Sequence, residues 1–111
     1  MSKGRPKKTR IISNEPQIRQ FSPRGRHGRP DYVTLTLEEA EAVKLIDLES
    51  RSQIQAAKSM GISQQTVSRI LNKGRRLLAD ALINGKIIKL AGGSYSVNQK
   101  VPAQNNPTNI E

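Results

Sequence analysis

The stretch SQIQAAKSMGISQQTVSRILN at residues 52–72 decides the fold. Ser52 and Gln55 form a capping-box pattern, in which each side chain bonds the free backbone amide of the other at a helix start. Gly61 is typical of a residue that ends a helix in the left-handed conformation, and Ser63 is typical of the N-cap of a following helix. The sequence therefore predicts two helices joined by a tight turn, which is a helix-turn-helix.

A long helix is predicted to follow this turn, from Ser63 to about residue 83. Apolar residues recur there at steps of three and four, which is the period of one helix face. Gly74 interrupts the face and costs roughly 1 kcal/mol relative to alanine in a helix interior. The shorter helix before the turn is expected to end at Met60. The residues of both helices expected to point inward are Ile54, Ala57, Val67, Ile70, Leu71, Gly74, Leu77, Leu78, Ala81 and Leu82.

A third helix is predicted before these two. Thr36-Leu37-Glu38-Glu39 repeats the capping-box pattern and opens a helix that is expected to reach Glu49. Its first-turn acids suit the positive end of a helix dipole. The three helices together define a domain over residues 31–91, in which the helix-turn-helix spans residues 53–72.

The segment before this domain, residues 1–30, is predicted to be a basic and largely extended arm. It contains four prolines, and prolines at that density prevent a long helix. Ile11–Ile12 and Ile18–Phe21 are expected to form short extended pieces against the body of the domain.

The segment after the long helix is less regular. Apolar residues at 86–90 and 94–97 favour either a small hairpin or an extended strand that pairs with residues near 10–12. Residues 92–111 are expected to hold the remnant of that hairpin and a disordered tail. The expected fold class is therefore mainly α: a small helical helix-turn-helix domain with an extended N-terminal arm and a short C-terminal strand or hairpin.

The charge distribution favours a polyanionic partner. The 111 residues carry a formal net charge of +10, with 19 basic against 9 acidic residues. The net charge is +8 over residues 1–30, −5 over 31–50 and +7 over 51–90. Such alternation suggests that two elements face a nucleic acid, while the first helix turns its acids away, toward a protein partner such as RNA polymerase.

The composition argues against several classes of function. There is no cysteine, which excludes a disulfide scaffold and a cysteine-based zinc site, and the single histidine, His27, has no second ligand at suitable spacing. No catalytic constellation or phosphate-binding glycine loop is present. We therefore expect neither an enzyme nor a metal or cofactor site. No long apolar run or secretory signal is evident, so a cytoplasmic, nucleoid-associated protein is expected, without a membrane.

Packing of the helix-turn-helix leaves one polar face of the long helix outward. Glutamine and asparagine side chains can pair with adenine and arginine with guanine in the major groove. The base-reading candidates are Gln64, Gln65, Ser68, Arg69 and Asn72.

Two further sets of residues are candidates for contacts to the DNA backbone or the minor groove. The phosphate candidates flank the reading face and the helix starts; they are Arg51, Ser52, Gln53, Ser63, Thr66, Lys73, Arg75 and Arg76. The arm candidates are Lys3, Arg5, Lys7, Lys8 and Arg10. Residues 3–8 resemble an AT-hook, whose Gly-Arg-Pro core enters a narrow minor groove. The favoured alternative is a generic basic tail that attracts phosphates without specificity, because Gly-Arg-Pro arises easily in such a composition.

Two segments, LTLEEAEA at 35–42 and AAKSMGISQQTV at 56–67, resemble region 4 of bacterial sigma factors. Together with RPKK at 5–8, Asn84-Gly85-Lys86 and the Gly92-Gly93 pair before Tyr95, they also resemble a family of short, uncharacterised bacterial and archaeal proteins, domain of unknown function 134. The resemblance covers roughly residues 5–95 and implies a DNA-binding helix-turn-helix with a role in transcription. Many members of that family carry cysteines in the arm, whereas this chain has none, so a metal or redox role there is not implied.

The leading hypothesis is a sequence-specific DNA-binding transcriptional regulator that reads the major groove with the helix at 63–83. A module of this size buries little surface, so useful affinity requires a homodimer or the basic arm. Two alternatives stay open: a nonspecific architectural DNA- or RNA-binding protein, and a sigma-like adaptor that binds RNA polymerase without reading DNA.

Overall fold

A computed structural model of the chain describes residues 9–25, 28 and 30–97. The predictions about the arm residues 1–8, His27 and the tail after residue 97 lie outside this part. Within it, the chain forms five short strands and three α-helices, one of them extended by a π-helical turn. In chain order they are β1 (Arg10–Ile12), β2 (Gln20–Phe21), β3 (Tyr32–Leu35), α1 (Leu37–Val43) with the π-helical turn (Lys44–Leu48), α2 (Gln53–Met60), α3 (Gln64–Asn84), β4 (Ile87–Leu90) and β5 (Tyr95–Val97).

The predicted helix starts are confirmed at atomic detail. Thr36 Oγ1 accepts a hydrogen bond from the Glu39 amide (3.1 Å), and the Glu39 carboxylate accepts one from the Thr36 amide (2.9 Å). Ser52 and Gln55 exchange the same pair of bonds at 3.1 and 2.9 Å. Ser63 Oγ accepts from the Thr66 amide at 3.1 Å and so begins α3. Each cap satisfies backbone amides that a helix start would otherwise leave unpaired.

The first helix differs from its prediction in its second half. An ordinary α-helix was expected to reach Glu49, but the chain widens after Val43, and the Glu49 amide donates to the Lys44 carbonyl five residues back (2.9 Å). The wider turn buries Leu45 and leaves Leu48 76% exposed. The apolar residues of this segment do not share one face, because the helical repeat changes along it.

The strands form two small sheets. In one, β4 lies between β2 and β3; Ile88 is opposite Phe21 in the antiparallel pair and opposite Val33 in the parallel pair. In the other, β1 runs parallel to β5. The expectation of a mainly α domain is corrected to a compact domain of three helices with several short strands. Helical periodicity does not reveal strands of two to four residues whose partners are distant in sequence.

The two alternatives for the C-terminal segment are now resolved. No hairpin joins β4 to β5, because the two strands belong to different sheets. β5 instead pairs with β1, with Arg10 opposite Tyr95 and Ile12 opposite Val97. The short extended pieces expected near residues 11–12 and 18–21 are confirmed as β1 and β2.

The buried side chains form two clusters. One lies between α1, the π-helical turn, α2 and α3; its members are Ala42, Leu45, Ala56, Ala57, Met60, Val67, Ile70 and Leu71. The other joins the end of α3 to the three-stranded sheet through Val33, Leu35 and Ala81. Two residues expected inside are outside: Ile54 is 56% exposed and Leu82 is 80% exposed. Both lie on helix faces for which the short neighbouring elements provide no cover.

Gly74 has a role in packing that helix propensity does not show. A Cβ atom there would lie 3.4 Å from both Cβ of Glu39 and Cγ2 of Val43. The residue therefore marks the closest approach of α3 to α1. Glycine is less favourable than alanine in a helix, but without a side chain it lets α3 pack closely against α1.

Candidate nucleic-acid interface

The turn between α2 and α3 is held by backbone hydrogen bonds and by a strand packed over it. Gly61 adopts φ +68°, and the Ile62 amide donates to the Ala57 carbonyl (3.1 Å), as in a Schellman motif. A Cβ at Gly61 would lie 3.2 Å from Cδ1 of Ile11 in β1. The angle between α2 and α3 therefore depends on a glycine and on a residue fifty positions earlier in the chain.

Burial of one face of α3 turns its polar face to solvent. Val67 and Leu71 are fully buried and Ile70 nearly so. The opposite side of the first turns carries four exposed side chains: Gln64, Gln65, Arg69 and Asn72. None of the four has a side-chain hydrogen bond or an ion pair with another residue in the described part of the chain. Ser68, the fifth base-reading candidate, is half-buried at the edge of this face.

Four of the phosphate candidates serve or adjoin the helix starts. Ser52 and Ser63 are the N-caps of α2 and α3, and their hydroxyl oxygens already accept hydrogen bonds from backbone amides. Thr66 Oγ1 lies 2.9 Å from Ser63 Oγ, while Gln53 is half-buried at the start of α2. These side chains therefore have a structural role whether or not DNA binds.

The basic phosphate candidates differ in how they are paired. Arg75 donates two hydrogen bonds to Asp47, at 3.0 and 2.7 Å, and these bonds lower the pKa of the Asp47 carboxyl below its usual value. Lys73 lies 3.9 Å from Glu39, and Arg51 lies 3.1 Å from Glu49. Arg76 is exposed and has no such contact within the described residues. In each pair the basic side chain is exposed to solvent. Exposed ion pairs are weak, so the cation can leave its carboxylate and bind a phosphate instead.

Arg10 is the candidate whose predicted role the structure contradicts. It was expected in the basic arm, but its side chain is buried, with Nε 3.7 Å from Oε2 of Glu38. The Arg10 amide donates to the Ser94 carbonyl (3.0 Å), and the Ser94 amide donates to Oε1 of Glu38 (2.7 Å). A guanidinium in this position neutralises a buried carboxylate, and exposing it would leave that carboxylate uncompensated.

The acids of α1 are buried as well, which corrects the expectation that they face a protein partner. Glu38, Glu39 and Glu41 are all buried. Glu41 accepts hydrogen bonds from both the amide (3.2 Å) and the hydroxyl (2.8 Å) of Ser13. These three carboxylates therefore attach flanking parts of the chain to α1, whereas Asp47 and Glu49, farther along, remain exposed and pair with Arg75 and Arg51.

A cleft brings this buried cluster next to the polar face of α3. Its volume is about 370 Å³, and the residues lining it are Arg10, Thr36, Glu38, Glu39, Arg69, Ile70, Lys73, Gly93 and Ser94. Sequence reasoning found the cations of α3 but missed the connection to Glu38 and Ser94. No local signal marks it, because the two residues are 56 positions apart.

Two other kinds of site find no support in the residues that the structure describes. These residues contain no cluster of three potential metal ligands. None of their helices has both the length and the apolar character needed to cross a bilayer. The arm candidates Lys3, Arg5, Lys7 and Lys8 lie outside them.

Comparison with known proteins places the chain among archaeal and bacterial relatives. The model of a family described as protein of unknown function DUF134 matches residues 1–98. A UPF0251 protein of Methanococcus maripaludis (strain C7) is 44% identical over 98 residues, which cover 87% of this chain and 75% of the relative. A UPF0251 protein of Thermoanaerobacter pseudethanolicus is 45% identical over 94 residues, covering 84% of this chain and 80% of the relative. No solved structure matches the chain.

Proposed function

We propose a function for this chain, which belongs to the DUF134 family of proteins of unknown function: it is a sequence-specific DNA-binding protein that regulates transcription. In this proposal α2, the turn and α3 act as a helix-turn-helix, and α3 enters the major groove. The bases are read by Gln64, Gln65, Arg69 and Asn72, with Ser68 at the edge of the contact.

One observation carries the proposal. The four exposed side chains at the start of α3 are hydrogen-bonding groups that make no side-chain contact with other described residues. By contrast, Ser63 is engaged in a helix cap and Arg75 in an ion pair with Asp47. Amide and guanidinium groups left free on one helix face match the donor and acceptor pattern of base edges.

The surrounding charge is consistent with a duplex lying across this face. Arg69, Lys73 and Arg76 follow each other along the exposed side of α3, and Arg51 precedes α2. Contacts from such residues to phosphates position a protein on DNA without reading sequence.

The proposal is tested by selecting binding sites from a pool of random duplexes at two salt concentrations. We expect a defined motif to be enriched and to survive at the higher salt. Neutralisation of 6–10 phosphates would lower the affinity by roughly 10³–10⁵-fold between 50 and 200 mM salt. Binding without enrichment would instead support a nonspecific architectural role, and the absence of binding would refute both.

Replacement of Arg69 by alanine should change specificity as well as affinity. We expect a loss of about 1–3 kcal/mol in binding free energy at one base position, because a bidentate arginine contact discriminates between bases. Arg76→Ala is the matched control: it removes an exposed arginine about two turns farther along the same helix, and as a phosphate candidate it should weaken binding to every sequence equally. Binding of every sequence weakened equally by Arg69→Ala would make Arg69 a phosphate contact.

Deletion of residues 1–8 should flatten the salt dependence of binding. The segment holds Lys3, Arg5, Lys7 and Lys8, and each phosphate contact contributes about 0.9 to the slope of log affinity against log salt. Four contacts would therefore lower the slope by up to about 3.6. Fluorescence anisotropy with a labelled duplex across a salt series measures it, and an unaltered slope would show that the arm does not contact DNA.

The sigma-like adaptor stays open as the alternative, because it rests on the resemblance to region 4 of sigma factors. The suggestion that the first helix turns its acids toward a protein partner is weakened, since Glu38, Glu39 and Glu41 are buried. An adaptor that does not read DNA would keep its function after substitution of Gln65 and Arg69, whereas a sequence-specific DNA-binding protein would lose it.

A further inference from the structure

Two apolar grooves meet beside the end of α3 and form one continuous apolar surface. The first groove has a volume of about 310 Å³ and is lined by Phe21, Leu35, Ala40, Val43, Leu78, Ile88 and Leu90. The second has a volume of about 280 Å³, shares Phe21 and Ile88 with the first, and reaches Ala81 and Leu82 on α3. Phe21 is 52% exposed and Leu82 80%, which places two large apolar side chains in water beside the grooves. We call Phe21, Leu82 and the two grooves the apolar surface.

We propose that the apolar surface binds the same surface of a second copy of this chain, forming a two-fold symmetric dimer. Exposed apolar surface of this kind typically marks an interaction site, because its burial removes it from water. A two-fold dimer needs a self-complementary patch, and projecting side chains beside open grooves satisfy that requirement.

The rest of the chain offers little that could cover this surface. Residues 1–8 and 98–111 contain only Met1, Val101 and Ile110 as large apolar side chains. Both segments are otherwise rich in lysine, arginine, asparagine and glutamine, whose burial in apolar grooves would be costly. A second copy supplies Phe21 and Leu82 together.

The charge at the apolar surface also permits two copies to meet. The chain carries a formal charge of +10, so most orientations of two molecules bring like charges together. Lys86 is the only charged residue that lines either groove, and its Nζ is 2.8 Å from Asp80 Oδ2. Because this cation is already compensated, the contact between two copies avoids direct repulsion across the grooves.

The position of the apolar surface matches the geometry of a two-part DNA site; this step rests on the proposed function. Residues 68 and 82 of α3 are about 21 Å apart along the helix axis, at 1.5 Å per residue. A two-fold axis near Leu82 therefore separates the two reading faces by up to about 42 Å. Successive half-sites on one side of a duplex are about 34–36 Å apart, so inclined α3 helices could occupy both.

Sedimentation of the full chain without DNA tests the dimer. We expect the wild type to reach twice its 12.3 kDa mass as concentration rises. Leu82→Glu should weaken dimerisation at least about tenfold, because it places a carboxylate in a desolvated contact. Leu48→Glu is the matched control: Leu48 is equally exposed (76%) but lies in the π-helical turn, so its replacement should leave the dimer intact.

Each outcome decides the proposal. A wild type that stays monomeric would overturn it. A dimer unaffected by Leu82→Glu, or weakened equally by Leu48→Glu, would also overturn it. Phe21→Glu provides a second variant on the apolar surface, and circular dichroism of all variants verifies that they fold.

The DNA selection separates this inference from the proposed function. With both correct, the wild type selects a two-fold symmetric motif with half-sites about 10 base pairs apart, and Leu82→Glu selects a single half-site. A dimer that binds no DNA would refute the proposed function, whereas the proposed dimer interface would still be supported. A monomer that selects a single half-site would refute the interface alone.

Discussion

Replacement of Gly93 by alanine is expected to lower the free energy of unfolding by about 2–4 kcal/mol. Gly93 adopts φ +103°, and a Cβ atom there would overlap Oε1 of Glu38 and lie 3.0 Å from Cβ of Thr36. The carboxylate would have to leave its place, although it accepts the Ser94 amide and faces Arg10. The variant would therefore disturb a buried ion pair and the cap region of α1 at once.

Gly92→Ala is the control for this prediction. Gly92 also has a positive φ, +77°, but a Cβ there meets nothing within 4 Å. Its substitution should therefore cost only the backbone strain, about 1–2 kcal/mol. Urea unfolding followed by circular dichroism measures both variants. Equal losses would show that the contact with Glu38 contributes nothing and that conformation alone explains the glycine.

Replacement of Gly61 by valine is expected to cost about 3 kcal/mol of unfolding free energy and to abolish the sequence-selective DNA binding that we propose. A β-branched residue is strained at the φ of +68° found here, and its Cβ would press on Cδ1 of Ile11 at 3.2 Å. The turn would have to open, and α3 would then change its angle to α2. Unfolding measurements and site selection read out the two effects separately.

A double-mutant cycle separates strain from crowding at this turn. Gly61→Ala and Ile11→Val are made singly and together, because valine lacks the Cδ1 atom that Cβ would approach. If crowding contributes, the double variant is more stable than the sum of the single losses predicts. Strict additivity would attribute the whole effect to backbone conformation, and a fully stable Gly61→Val would contradict the role assigned to the turn.

Local signals were sufficient to predict the helices. Thr36, Ser52 and Ser63 each cap a helix through bonds to residues three positions away, and Gly61 and Gly85 end the helices at residues of positive φ. These interactions are local in sequence, so they can be inferred without knowing the fold. The outward face of α3 followed from the same helical period.

The positions of Ile54, Leu82 and Arg10 were predicted wrongly for a common reason. The helical period shows which residues share a face, but burial depends on what lies opposite that face. Short neighbouring elements leave Ile54 and Leu82 uncovered, while β1 brings Arg10 to Glu38. The strands themselves were only partly foreseen, because each is two to four residues long and pairs with a distant segment.

Sequence alone therefore determined where the helices begin, where α2 and α3 end, which side of α3 is polar, and that the chain is strongly basic. These properties depend on single residues and on spacings of three and four positions. The interactions that determine them therefore lie within a few helical turns. Only the tertiary structure decided that the acids of α1 are buried, that β5 pairs with β1, and that Phe21 and Leu82 share an exposed apolar surface. Those results arise from contacts between segments up to about eighty residues apart, as in the bond from Tyr95 to Glu15 (2.8 Å), and such contacts leave no periodic trace in the chain.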